Sequence, residues 1–278
     1  MTKAVTRTWY RIALARAGAP TQLVAASGEH MGQAIAEARD HVAGSWPVAV
    51  EHAQGQDIPL GESVGKGHVL MLGDAPADTP TFEWPTGVLP SLAAPGSAFA
   101  GAAPGWVMRP ESKLLVIEAQ TTDDKLTDLF LGMVERLPAG DNLEVRVLDH
   151  FEDAGTTDVW LTSRVTAKKI IRFIDDHDTE LIGNGHLELS IYVRAQNATL
   201  RLSEHKTVLW LAEGRALEVE ACGWLKDLGV PPAESLVTVR EGAHFHYRPA
   251  KSRDRKKLGE ELYRQRMRKV DSVATHRA

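Results

Sequence analysis

Residues 166–194 read TAKKIIRFIDDHDTELIGNGHLELSIYVR and change from helical spacing to strand alternation within one stretch. Apolar side chains recur three and four positions apart over 170–181, which predicts one face of an amphipathic helix. Thr166 stands where a helix N-cap is expected, and GNG at 183–185 supplies residues that tolerate a positive φ after the helix. Over 187–194 apolar and polar residues alternate. This alternation predicts a strand with one buried face.

The sequence on either side extends this pattern to β-α-β-β-α-β. The further strands are predicted over 158–163, 199–212 and 236–247, and the second helix over 217–228. The apolar phase blurs at 204–206 (EHK), which indicates a bulge or a hairpin that extends beyond the sheet. This order is that of the split βαβ, or ferredoxin-like, plait, so we expect an α/β (α+β) protein whose C-terminal domain has this fold.

The chain is predicted to have four parts, and the plait belongs to the third. Residues 1–73 contain strand, helix and strand signals of a small N-terminal α/β module. Residues 74–110 hold half of the prolines together with many Gly and Ala residues, which predicts a linker whose aromatic residues Phe82, Trp84 and Trp106 dock on a domain. Residues 111–250 form the C-terminal domain, where a strand, a helix capped by Thr122 and another strand add a βαβ unit to the plait. Residues 251–278 form a basic helical tail.

The composition is that of a globular protein. No apolar run approaches the roughly 18 residues of a membrane span, and the first residues lack the apolar core of a signal peptide. The single cysteine, Cys222, cannot form an intramolecular disulfide, which favours a cytoplasmic location. The net charge is −5 although the tail is basic, so the body is acidic and is not suited to bind nucleic acid over its whole surface.

No contiguous catalytic signature is present. The sequence lacks G-x-S-x-G, H-E-x-x-H, Walker A and paired C-x-x-C motifs, and no dinucleotide fingerprint follows a predicted strand. These absences favour a protein without an enzymatic activity or a cofactor.

The strongest candidate for chemistry is His244-Phe245-His246. Two imidazoles at i and i+2 of a strand point to one face and can reach one metal ion. Asp149 and His150, at the end of another predicted strand, could add ligands. The flanking Arg240 and Arg248 would repel a cation, so an exposed polar face of a sheet is the simpler interpretation.

The sequence therefore predicts a cytoplasmic recognition protein of the inhibitor, immunity or adaptor kind, which binds another protein. The predicted contact residues are Tyr192, Arg194, Arg240, His244, His246, Arg264 and Arg268. One alternative is a metal-assisted hydrolase that uses His244 and His246. A second is a nucleic-acid-binding module, because Tyr192 and the basic tail offer one aromatic platform and a positive patch. No feature of the sequence predicts an oligomeric state.

Overall fold

The computed structural model describes residues 7–54, 69–111 and 113–274. The protein is mixed α/β, and neighbouring strands in its sheets are antiparallel. The described helices are α1 (Met31–His41), α2 (Asp123–Arg136), α3 (Ala167–Asp175), α4 (Asp178–Leu181), α5 (Glu218–Asp227) and α6 (Arg255–Arg264). The described strands are β1 (Thr8–Arg16), β2 (Ala19–Gly28), β3 (Trp46–His52), β4 (Val69–Asp74), β5 (Val88–Pro90), β6 (Gly105–Glu111), β7 (Leu114–Gln120), β8 (Asn142–Val147), β9 (Thr156–Leu161), β10 (Leu187–Val193), β11 (Ala198–Leu202), β12 (Val208–Glu213), β13 (His244–His246) and β14 (Arg268–Ala274).

The chain divides into two compact units. Unit 1 comprises residues 1–102 and 237–251, and unit 2 comprises residues 103–236 and 252–278. The sequence placed the boundaries at 73, 110 and 250 instead. They differ because Trp84 and Phe99 of the proline-rich segment are core residues of unit 1, and because β13 returns to pair with β5 of that unit.

Unit 1 contains a four-stranded sheet in the order β3-β1-β2-β4, with α1 packed on it. The strands predicted near its start are present. The sequence GHVLML over 67–72 also has strand character, and its described part, from residue 69, lies in β4. Ser27 does not cap α1, because it lies in β2 and binds the Arg7 guanidinium, and His30 takes the N-cap position.

The docking of aromatic residues from the proline-rich segment is confirmed. Trp84 is 3% exposed, and its ring lies edge-on to Phe82 and Phe99 at 4.8 Å and 5.7 Å. Trp106, in β6, packs against the core of unit 2. Residues 74–110 are thus divided between the two units and contribute to both cores.

Unit 2 is built on an eight-stranded sheet in the order β14-β9-β8-β10-β11-β12-β7-β6. Because every neighbour is antiparallel, β9 and β10 run parallel to each other with β8 between them, and α3 connects them. Strands β7 and β8 are likewise parallel, with three strands between them and α2 as the connection. The alternating apolar residues of one sheet face form a single core with the apolar residues of α2 to α6.

The predicted plait is incomplete in this sheet. The predicted strands over 158–163, 187–194 and 199–212 correspond to β9, β10 and the β11–β12 pair. The last predicted strand, over 236–247, is not in this sheet, so its prediction is wrong. Only β13 is extended within this range, and it pairs with β5 of unit 1. The predicted helix over 170–181 is divided into α3 and α4 at His177, whose Nδ1 bonds the carbonyl oxygen of Phe173 at 3.0 Å.

The tail is helical only at its start. Helix α6 begins at its N-cap Asp254, whose carboxylate accepts a hydrogen bond from the Lys257 backbone N–H at 2.8 Å. It ends at Arg264, and Arg266 follows with φ 63°. The Arg266 N–H bonds the carbonyl oxygen of Tyr263 at 2.9 Å, and the Met267 N–H bonds that of Leu262 at 3.0 Å. These bonds form a Schellman-type cap, after which the chain continues as β14. The predicted helical tail over 251–278 is therefore wrong at 268–274, where the chain forms β14.

Among the described residues, no helix has the length and apolar character needed to cross a membrane.

Candidate functional site

The predicted contact residues are distributed over both units. Tyr192 lies in β10, and Arg194 follows it directly. Arg264 ends α6 and Arg268 begins β14, so these four belong to unit 2. The other three, Arg240, His244 and His246, belong to unit 1.

Tyr192 lies on the sheet face of unit 2 opposite the helices, where a buried carboxylate holds it. The Tyr192 hydroxyl donates a hydrogen bond to Glu144 Oε2 at 2.7 Å, and Arg146 Nε donates to Glu144 Oε1 at 2.6 Å. Glu144 is 7% exposed, whereas the Arg146 side chain is 38% exposed. Burial first, and then the Glu144 hydrogen bond, raise the pKa of Tyr192, so its hydroxyl remains a donor at neutral pH.

Two further arginines of the same region have fixed partners. Arg194 Nη2 donates to Asn142 Oδ1 at 3.2 Å, and its backbone N–H donates to Asp141 Oδ2 at 3.0 Å. Arg201 Nε, in β11, donates to Ser190 Oγ at 3.2 Å. The strands thus present tyrosine and arginine side chains whose polar groups are already oriented.

Arg264 and Arg268 lie on a different part of unit 2. Arg264 is 66% exposed and pairs with Glu261 at 3.0 Å and with Glu260 at 3.8 Å. Arg268 is exposed at the start of the edge strand β14. The exposed Tyr263 lies beside Arg264 and, with Trp160, lines a shallow groove.

In unit 1, the histidines of β13 lie close together as their spacing predicts. Their ring centroids are 5.0 Å apart. His244 Nδ1 lies 2.8 Å from the carbonyl oxygen of Gly242, which can only accept, so the proton is on Nδ1 and the lone pair is on Nε2. This tautomer is the one that a metal bound at Nε2 requires. Arg240 is exposed on the preceding turn, with Nε 3.5 Å from Thr238 Oγ1.

The structure also shows a cluster that the sequence did not identify, at the turn between β11 and β12 in unit 2. Lys206 is 1% exposed, has φ 63°, and donates from Nζ to the carbonyl oxygen of Asn184 at 2.6 Å. Burial lowers the pKa of Lys206 to about 7. Burial, and then Glu188, raise the pKa of Glu204 to about 7, although Lys206 opposes that change. Both groups therefore titrate near neutral pH.

Histidines surround the Glu204 carboxylate. His150 Nδ1 is 3.9 Å from Glu204 Oε2 and 3.7 Å from an oxygen of Asp149, while His205 Nδ1 is 3.9 Å from Glu204 Oε1. Burial lowers the pKa of His150. The cluster can exchange protons near pH 7, a property that occurs often at functional sites and also in structural networks. Its signal in the sequence was the blurred apolar phase at 204–206, which we interpreted as a bulge or as a hairpin that extends beyond the sheet.

Comparison of the chain with protein-family models, with curated proteins and with solved structures gives no match.

Proposed function

We propose that this chain is a cytoplasmic recognition protein that binds another protein without chemistry of its own. The observation that carries this proposal is the network in which Glu144 orients Tyr192 and Arg146 on the helix-free face of the sheet. Tyrosine and arginine contribute most often to the binding energy of protein interfaces. Side chains already held in one rotamer lose less entropy when a partner binds, which increases affinity.

The contact surface in this proposal consists of the residues predicted from the sequence, divided by unit. Tyr192, Arg194, Arg264 and Arg268 provide the contacts of unit 2. Arg240, His244 and His246 provide those of unit 1. The partner-binding test below concerns the unit 2 set.

The test has two steps. Photo-crosslinking groups placed at the Thr199 and Arg201 positions identify a partner in cells of the source, and the purified partner is then titrated calorimetrically with the full chain. We expect Tyr192→Ala and Arg194→Ala each to weaken binding by about tenfold or more, as for interface hot spots. Lys168→Ala is the control, because Lys168 is exposed on α3, which lies on the side of the sheet opposite Tyr192. A purified partner that binds both variants as tightly as the wild type would contradict the proposal.

A second candidate function is metal-assisted hydrolysis, favoured by the 5.0 Å separation of the His244 and His246 rings and by the tautomer of His244. Two imidazoles are fewer ligands than the three that catalytic zinc usually has, so further ligands are needed. Mass spectrometry of the purified protein measures the metal content. Near-stoichiometric zinc or manganese in the wild type and none in a His244→Ala, His246→Ala double variant would support hydrolysis. No metal in either protein would contradict it.

A further inference from the structure

The end of unit 2 formed by α6, β9 and β14 has features of a docking surface. Strand β14 is the last strand in the sheet order and pairs only with β9 among the described strands. Directly beside it, Trp160, Gly259, Glu260, Tyr263 and Arg264 line an open groove of about 450 Å³. All of these residues belong to unit 2.

The groove is mainly apolar. Tyr263 is 73% exposed, although Leu258 and Leu262 of the same helix are buried in the core. Trp160 is 8% exposed, and its indole Nε1 is buried without a hydrogen-bond partner among the described residues. Because Nε1 is buried, it is not accessible to a molecule in the groove, which is recognised through its apolar surface.

The segment that continues from Arg264, the last lining residue, is positive, although Glu260 also lines the groove. Residues 264–270 read RQRMRKV, with four basic residues and no acidic one. Arg264 and Lys269 have acidic partners within the unit, Glu261 and Asp158. Arg266 and Arg268 are exposed beside them. The charge of this segment therefore complements an acidic ligand.

Backbone pairing along β14 is disfavoured. Its register with β9 shifts between Lys269 and Asp271, so Val270 forms a bulge, and cationic side chains lie at its start. Bulges and charges are the features that protect edge strands from adding a further strand. A second copy of this chain is also disfavoured as the occupant, because two such positive segments would repel each other.

We infer that this groove binds an acidic segment of the partner protein that carries a large apolar side chain. The apolar side chain packs between Trp160 and Tyr263. The acidic groups pair with Arg266 and, around the edge of the sheet, with Arg268, whose strand partner Leu161 is on the face opposite Trp160. The inference rests on the proposed function, because it identifies the chemistry of the partner. A single-stranded nucleic acid would also be attracted by the charge, but it favours several exposed rings for stacking, and here Tyr263 is exposed while Trp160 is buried.

The experiment uses the full chain and fluorescein-labelled peptides followed by anisotropy. The test peptide is Glu-Asp-Glu-Phe-Leu-Glu-Asp-Glu. One comparison peptide has serines in place of the Phe-Leu pair, and another has lysine in place of every acidic residue. An oligothymidylate of about 20 nucleotides is the nucleic-acid competitor.

We expect the test peptide to bind and both comparison peptides to bind at least about tenfold more weakly. Tyr263→Ala and the Arg266→Glu, Arg268→Glu double variant should each weaken binding by a similar factor. Lys226→Glu is the control for a charge reversal elsewhere, since Lys226 is exposed on α5, and it should change binding by less than about twofold.

Three results would overturn the inference: no binding of the test peptide, equal binding of the serine peptide, or displacement of the test peptide by the oligothymidylate. Binding of the partner identified by crosslinking distinguishes a failure of this inference from a failure of the proposed function. If Tyr192→Ala weakens its binding and Tyr263→Ala does not, the protein-recognition proposal is supported and the groove is not its docking surface.

Discussion

The two faces of the sheet in unit 2 come from the same strands but are stabilised in different ways. On the helix-covered face, residues such as Val145, Ile191 and Trp210 are almost completely buried and form one apolar core. On the other face, Glu144, Tyr192 and Arg146 hold one another through short hydrogen bonds. The difference shows that one face is stabilised by apolar packing, whereas polar groups on the other face are oriented by hydrogen bonds.

The largest effect is expected from Trp210→Ala on the helix-covered face. Trp210 is 1% exposed and lies edge-on to Trp224, so its removal should lower the free energy of unfolding by about 3–5 kcal/mol. Leu209→Ala, one residue earlier on the opposite face, is the control and should cost clearly less. Urea unfolding followed by circular dichroism measures both. Equal losses would show that the second face is also a core.

The next effect concerns two arginines of α6. Arg255 is 12% exposed, and its guanidinium binds the carbonyl oxygens of Leu148 and Thr156 and the Asp158 carboxylate. Arg255→Ala should destabilise the protein by about 2–4 kcal/mol, because these acceptors lose a charged donor. Arg264→Ala should change stability by less than about 0.5 kcal/mol, because Arg264 is exposed. A large loss for Arg264→Ala in the same urea experiment would assign it a structural role.

The pair at the β11–β12 turn should give the protein an unusual dependence of stability on pH. Since the folded-state pKa of Glu204 is raised to about 7, its contribution to stability is complete below its usual pKa of 4.5 and is lost as the pH rises to about 7. Since the folded-state pKa of Lys206 is lowered to about 7, its contribution is complete above 10.5 and is lost as the pH falls to about 7. Together, these residues should give the free energy of unfolding a minimum near pH 7, on the order of 1–3 kcal/mol below its values at acidic and basic pH.

Urea unfolding midpoints at acidic, neutral and basic pH test this expectation. Glu204→Gln should remove the decrease in the unfolding midpoint between pH 5 and pH 7. Lys206→Met should remove the increase in the midpoint above pH 7. A wild-type profile without a minimum, or one that both variants leave unchanged, would show that neither group titrates in this range.

The smallest effect is expected from Glu144→Gln on the polar face. This substitution should lower the free energy of unfolding by about 1 kcal/mol, since an amide replaces the carboxylate that accepts hydrogen bonds from Tyr192 and Arg146. The pKa of Tyr192 should also decrease, because the Glu144 hydrogen bond contributes to raising it. Phenolate absorbance, measured against a Tyr192→Phe variant, follows this one tyrosine. An unchanged pKa would mean that Glu144 does not orient the hydroxyl in solution.

The sequence alone predicted the elements whose signals are local. The N-cap at Thr166, the alternation in β10 and the helical spacing in α2 each depend on neighbours within a few residues, and each is present in the structure. The spacing of His244 and His246 likewise placed their rings close together. The alternation of Tyr192 with apolar residues also predicted that it faces away from the core.

Tertiary structure determined the features that depend on distant partners. Strand β13 pairs with β5, about 155 residues earlier, and does not join the sheet of unit 2. No local sequence pattern determines which of these partners a strand takes. The end of α6 at Arg264 was missed because the left-handed position that follows, Arg266, is taken by arginine and not by glycine. Lysine is almost never buried, so no sequence signal indicated the burial of Lys206. The carbonyl of Asn184 and the nearby carboxylates of Glu204 and Glu188 allow it. Local sequence thus determined which residues form helices and strands, and long-range packing determined which charges those elements enclose.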